Sequence, residues 1–287
     1  MGLIGSSDLL AAKRLLDRHG LRPKKGLGQN FLTSRSLLDT ILRAAEPLEG
    51  RVVLEVGPGL GALTLPLSHG AKRVVAVEVD GRLIPLLREA LQDRPNVELV
   101  QADILERAPH QFLGSDAESP WVAVGNLPYY LTSHLLRHLL EVAPRPERLV
   151  VTVQLEVAQR LVAAPGDMSV LAVSAQYYGR PRIVARARPG AFYPSPKVTS
   201  AVVRIDAYDE PPWGASDVDG FFRLVRAGFT QRRKYLRNAL RGGWTPDEGR
   251  ISRAFASAGI EGTRRAQTLT VEEWARLHRA FEEEGET

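Results

Sequence analysis

Between residues 51 and 206 the chain alternates short runs rich in β-branched residues with stretches of helical periodicity. Runs at 51–56, 73–78, 97–101, 121–125, 148–155, 181–188 and 199–206 predict seven strands. Segments 60–68, 82–92, 131–142, 156–163 and 169–178 predict helices between them. Such alternation builds a mostly parallel sheet with helices on its faces. Only the loop 189–198 separates the last two runs, so the sheet is expected to end in an antiparallel hairpin. Asp209-Glu210-Pro211-Pro212-Trp213-Gly214 then halts regular structure. No strand pattern recurs beyond it. Residues 221–241, 247–258 and 271–284 suit helices, the last with Thr270 and Glu273 at capping-box spacing. The expected organisation is an α/β domain over 1–208, with an N-terminal extension, and a small all-α domain over 209–287. The amphipathic run 9–22, carrying Lys13, Arg14, Arg18 and Arg22, predicts a short surface helix.

Composition narrows the chemistry. The 287 residues hold no cysteine, which removes disulfides, thiolate metal sites, Fe–S clusters and cysteine nucleophiles. Lys+Arg 38 against Asp+Glu 33 leaves a net charge of +5, favouring anionic partners such as nucleic acid. Nothing approaches the ~18 apolar residues of a membrane helix, and residues at the N-terminus lack a signal-peptide core. A soluble, cytosolic chain without a membrane partner is expected.

The first predicted strand runs into Gly57-Pro58-Gly59-Leu60-Gly61-Ala62, a glycine-rich turn at the carboxyl end of a strand, where open α/β sheets bind ligands. Glu78 closes the second strand, where an acid accepts hydrogen bonds from ribose hydroxyls. Asp103 follows the third strand in the same relative position and is suited to an adenine amine. Together the three loops describe an adenosine site. Gly57, Gly59 and Ala62 also satisfy the dinucleotide fingerprint, so an NAD-dependent oxidoreductase stays open on this motif alone. Glu55, inside the first strand, needs a partner for a buried carboxylate, from a cofactor group or a backbone donor.

Asn126-Leu127-Pro128-Tyr129 follows the fourth strand. Asn126 offers an amide carbonyl and no titratable proton, Pro128 biases Leu127 toward an extended backbone, and Tyr129 supplies a flat face. The tetrad suits a planar amine such as adenine N6, held by two carbonyl acceptors while its ring stacks on Tyr129. Drawing that poorly nucleophilic nitrogen toward tetrahedral geometry, aimed at a sulfonium methyl, lowers the barrier by positioning. Taken alone, the tetrad also reads as a simple turn.

Asn126 to Tyr129, the turn Glu55-Val56-Gly57-Pro58-Gly59 and Gly28-Gln29-Asn30-Phe31-Leu32 together resemble the adenine-N6 dimethyltransferases of ribosomal RNA, of the bacterial KsgA type. The resemblance spans about residues 23–234 and continues through the helical tail. It implies a Rossmann-like, seven-stranded S-adenosylmethionine-dependent methyltransferase domain plus a small all-α C-terminal domain. It implies that Gln29, Asn30 and Leu32 contact the methionine end of the cofactor, that Gly57 and Gly59 approach it, and that Glu55 belongs to the same site. Glu78 would hold the ribose, Asp103 the adenine amine, and Asn126 would sit between cofactor and target. Phe192-Tyr193-Pro194-Ser195-Pro196-Lys197-Val198 resembles the family's loop whose aromatic covers the other face of the flipped base, which makes Phe192 the expected partner of Tyr129.

Seven cations and no acid lie between 221 and 241: Arg223, Arg226, Arg232, Arg233, Lys234, Arg237 and Arg241. A solvated helix usually interleaves signs, so phosphate binding is the economical reading. Residues 178–204 add Arg180, Arg182, Arg186, Arg188, Lys197 and Arg204. The resemblance implies N6,N6-dimethylation of two adjacent adenines in a terminal hairpin loop of small-subunit ribosomal RNA, without a metal. The partners would be that RNA and the immature small subunit, met by a monomeric enzyme. Three alternatives stay open: the erythromycin-resistance type, acting on large-subunit RNA, a non-catalytic ribosome-assembly factor, and the NAD-dependent oxidoreductase.

Overall fold

A computed structural model describes residues 9–284 except 215 and 246, so the outer ends of both expected domains lie outside the described residues. The strands are β1 (Phe31–Leu32), β2 (Val52–Val56), β3 (Arg73–Glu78), β4 (Val97–Gln101), β5 (Trp121–Asn126), β6 (Arg148–Gln154), β7 (Gly179–Ala187), β8 (Phe192–Tyr193) and β9 (Ser200–Ala207). The longer helices are α1 (Leu9–Arg18), α2 (Arg35–Ala45), α3 (Thr64–Gly70), α4 (Ile84–Ala90), α5 (Pro109–Leu113), α6 (Thr132–Glu141), α7 (Leu155–Leu161), α8 (Val170–Tyr178), α9 (Val218–Phe229), α10 (Leu236–Gly243), α11 (Glu248–Ser257) and α12 (Val271–Glu283). None is long and apolar enough to cross a membrane.

Seven strands form one sheet in the order β4-β3-β2-β5-β6-β9-β7. β2 is buried at every position, including Glu55, as a central strand covered on both faces must be. It pairs in parallel with β3 on one side and β5 on the other. The order reverses there, and a crevice opens beyond the carboxyl ends of β2 and β5. β9 runs antiparallel to β6, with Arg148 opposite Asp206 and Gln154 opposite Ser200. The last two strands are neighbours, as their spacing implies, with β9 inserted between β6 and β7.

Three local expectations change. The helix expected at 60–68 begins at Thr64, because Gly57, Gly59 and Gly61 adopt φ of 70°, 60° and 79° and cannot join it. The helix expected over 221–241 is two helices, α9 and α10. Residues 230–235 between them carry no aliphatic side chain to bury, so breaking the helix there costs no packing. The run at 9–22 is helical as α1, but Ala12, Leu15 and Leu16 are buried with Phe31, Leu60, Leu83 and Leu87. It is a packed element of the α/β unit.

Packing divides the chain into two compact units, 1–158 with 180–207, and 159–179 with 208–287. The linker-based boundary after 208 falls beside the second of these edges. The excursion 159–179 joins the helical unit because α8 ends in Tyr177 and Tyr178, whose rings pack on Phe221 and Phe222 at 4.7 to 5.8 Å between centroids. In the same unit Gly166 N–H donates to Gln267 O (2.7 Å), and the Thr270/Glu273 capping box opens α12.

Candidate active site

The crevice at the end of β2 is lined by the glycine turn, Glu55, Glu78, Asn126, Pro128 and the segment 27–32. Gly59 must be glycine twice over: its φ is +60°, and a Cβ there would stand 3.0 Å from the Phe31 ring. Gly59 N–H donates to Glu78 Oε2 (3.0 Å), and Asp80 N–H donates to Oε1 (2.8 Å). Glu78 thereby fixes the turn to the end of β3. A carboxylate has about four lone-pair sites, so it retains acceptors for hydroxyls in the cavity. Burial raises its pKa above the usual carboxylate range.

Glu55 is 1% exposed, lines the same cavity, and its Oε2 has no hydrogen-bond partner. Burial, with the Thr64 hydroxyl opposing and the Glu78 charge adding, pushes its pKa up to about 8. A buried acid with an unpartnered oxygen, on a residue that lines a cavity, suits a cationic ligand group.

Asn126 ends β5 on the other side of the crevice. Its Nδ2 donates to Asn30 O (2.6 Å), which turns the amide and leaves Oδ1 as the free acceptor. Leu127 is buried, with its N–H on Thr152 O (3.2 Å). Tyr129 is half-buried, its hydroxyl 2.6 Å from Ser200 Oγ, so the ring is held at its far end. Segment 27–32 crosses the cavity as a strap. Gln29 Nε2 donates to Asp80 Oδ2 (2.9 Å) and its Oε1 accepts from Lys24 N–H (2.8 Å). Arg82 pairs with Asp80 (2.7 Å), and with Gln29 holds that carboxyl well below the usual range. Beyond the strap, β1 pairs antiparallel with β8, Phe31 opposite Tyr193 and Leu32 opposite Phe192.

The family model described as "Ribosomal RNA adenine dimethylase" matches residues 20–283. The chain belongs to the ribosomal RNA adenine dimethylase family. It is similar to "Ribosomal RNA small subunit methyltransferase A" of Dehalococcoides mccartyi strain CBDB1, 46% identical over 93% of this chain and 91% of that one. The protein of the same name from Moorella thermoacetica is 42% identical over 93% and 96%. Among solved structures, the 23S rRNA methyltransferase ErmE superposes with a TM-score of 0.70 at 31% identity, over 88% of this chain and 100% of that one. A dimethyladenosine transferase from Plasmodium falciparum shares the fold, with a TM-score of 0.74 at 23% identity over 89% and 98%. This dimethylase is thus an S-adenosylmethionine-dependent rRNA adenine-N6 methyltransferase with the expected seven-stranded α/β fold and helical tail.

The dimethylase's cavity gathers Gln29, Asn30, Leu32, Glu55, Gly57, Gly59, Glu78 and Asn126. Two expected residues are differently placed, and a third, Gln29, is already engaged. Asp103 does not line the cavity; it caps a short 3-10 turn by accepting from Leu105 N–H (2.9 Å), beyond β4 at the sheet edge. Gln29 lines the cavity, but both ends of its amide are taken by Lys24 and Asp80. Phe192, expected to face Tyr129, is 1% exposed and packed with Leu32, Leu37 and Ile41, because its strand pairing turns the ring into the core. It presents no free face in this structure. Asp80 and the Asn30 carbonyl were not apparent from the motifs. An acid two residues past Glu78 was the available signal for the first, whereas a backbone acceptor leaves no signal in side-chain chemistry.

In the helical unit, Arg232, Arg233 and Lys234 are exposed in the turn after α9, with no ion-pair partner among the described residues. Arg237 differs: it pairs with Glu248 and donates to Ser252 Oγ (2.9 Å). Arg241 shares the same glutamate at 3.7 Å.

Proposed function

We propose that this dimethylase methylates the exocyclic N6 of two adjacent adenosines in the 3′-terminal hairpin loop of small-subunit ribosomal RNA, acting as a monomer on immature subunits in the cytoplasm. The relatives of highest identity described above carry the small-subunit name, which favours that RNA over the large-subunit target named for ErmE. The single observation that carries the chemistry is the Asn126 amide, whose orientation by Asn30 O leaves Oδ1 facing the cavity. Oδ1 and the Leu127 carbonyl accept the two N6–H groups, so the nitrogen lone pair is held out of the ring plane while the Tyr129 ring supports the base. Bound S-adenosylmethionine supplies an electrophilic methyl on a sulfonium. Gly57 and Gly59 admit it closely, Glu78 accepts its ribose hydroxyls, the unpartnered carboxyl of Glu55 attracts its cationic end, and Leu32 gives an apolar wall. Asp103, at the end of β4, accepts from its adenine amine.

The target amine is inaccessible in stacked RNA, so the base must leave the stack. Arg232, Arg233, Lys234 and Arg237 supply phosphate contacts, the first three with charges free for RNA. The test is tritium transfer from labelled S-adenosylmethionine to unmethylated small subunits, with nucleoside analysis of the digested RNA. N6,N6-dimethyladenosine in the terminal loop is the expected product. Labelled large-subunit RNA with unlabelled small subunits would reject the substrate in favour of the erythromycin-resistance type, and cofactor binding without transfer to either would favour an assembly factor.

A further inference from the structure

Tyr130 lies directly against the cavity rim. A Cβ placed on Gly28 would stand 3.3 Å from Tyr130 Cε1 and 3.4 Å from Pro128 Cβ, and both Gly28 and Pro128 line the cavity. Yet Tyr130 is 60% exposed, more than any other large hydrophobic residue among those described. The other aromatics of this edge are committed: Tyr129 is tied to Ser200, and Phe192 is closed into the core. Tyr130 is therefore the ring at the opening with a face turned to solvent.

An aromatic face kept in water beside a site that takes an extruded base has a specific use. Extrusion breaks the stack on both sides of the flipped base and leaves a neighbouring base with an open face. Single-stranded nucleic acid is held by stacking such bases on exposed aromatic rings, whatever their sequence. Tyr130 immediately follows Tyr129, so a platform there reaches a nucleotide adjacent to the target and not one further along.

We propose that Tyr130 is a stacking platform for the nucleobase next to the extruded adenine, making an unpaired neighbour a requirement for efficient methylation. The proposal rests on the adenine-N6 reading above. It makes Tyr130 a positioning residue for RNA, with no part in methyl transfer.

The experiment uses the full chain and unmethylated small subunits whose terminal loop carries 2-aminopurine beside the target adenine. Tritium transfer by the unaltered enzyme to unmethylated subunits with and without 2-aminopurine is read first, and its failure on both rejects the adenine-N6 reading and the platform with it. With transfer established, Tyr130→Leu retains an apolar contact on Gly28 but removes the π-face. Its KM for these subunits should rise about tenfold, the order expected for one base–aromatic stack. Its kcat at saturating RNA and its affinity for S-adenosylmethionine should hold, and the quenching of 2-aminopurine on binding should disappear. Tyr130→Trp should restore both KM and quenching. A Leu variant with unaltered KM and quenching overturns the platform while leaving the function intact, and so does a Trp variant as impaired as Leu.

Discussion

At the cavity, Glu78 accepts from Gly59 and Asp80 N–H, and the Asp80 carboxylate accepts from Gln29 and Arg82. In the turn after α9, Arg232, Arg233 and Lys234 stand in solvent with no ion-pair partner among the described residues. The first region recognises by fixed geometry in a dry setting, where each group orients the next and substitutions do not add. The second recognises by charge density, where contributions are small, nearly additive and screened by salt. Binding a small cofactor and binding an RNA backbone call for these opposite designs.

The sharpest break of this contrast is Asn126→Ala. Losing one oriented acceptor at the reacting nitrogen should lower single-turnover methyl transfer by about a thousandfold, the upper range for one preorganised polar group. RNA affinity in a filter-binding assay should be nearly unchanged; a normal transfer rate would remove Asn126 from the chemistry. Next in size is Gly59→Ala. A side chain at φ +60° costs about 1–2 kcal/mol in backbone strain, and here it also meets Phe31. Calorimetry should show weakened S-adenosylmethionine binding together with a lower thermal midpoint, and an unchanged affinity would mean the turn has slack.

Glu55 gives a pH test of the dry region. Its folded-state pKa of about 8 lies above the usual carboxylate value of 4.5, so the native state holds a proton that the unfolded chain has released. Its contribution to stability therefore falls as pH rises from about 4.5 through about 8. Denaturant melts should show Glu55→Gln gaining on the unaltered protein toward pH 8. Conversely, a cationic ligand group favours the ionised acid, so cofactor binding should release protons near neutrality, seen as a buffer-dependent binding enthalpy. Equal enthalpies in buffers of different ionisation heat would place no titration there. The smallest effect belongs to the exposed region. Arg232→Ala with Arg233→Ala should weaken RNA binding severalfold and flatten the salt slope by about 1.4, two charges at roughly 0.7 each for a single strand. Arg237→Ala should do less, because Glu248 already holds that guanidinium. Equal losses at Arg237 would show that the ion pair opens on RNA.

Strands were legible where burial on both faces produces a nearly unbroken apolar run, as at 73–78, which the structure reproduces end to end, and 97–101 was legible although it is a half-exposed strand at the sheet edge. The glycine turn and the Asn126 tetrad were legible because their backbone demands restrict residue type. What escaped was decided at long range. Phe192 looked like an exposed partner for Tyr129 because its prolines define a loop, but pairing with Leu32 rolls the ring inward. The basic stretch looked like one helix because charge says nothing about where a backbone turns, and α9 ends where its apolar face runs out. Asn30 is needed through its carbonyl, which every residue carries.

The two-residue ribbon between β1 and β8 bears on how the enzyme is made. The strap leaves the ribosome before the parallel strands of the sheet, and Phe192 and Tyr193 emerge only after them. Domains fold during synthesis as their parts become available. The cavity floor can therefore form on a nascent chain while its roof stays untethered. Competence to retain the methyl donor would arrive late, as a checkpoint on translation past residue 193. A ribosome-bound fragment ending before β8 should bind the donor far more weakly than one that extends beyond β9.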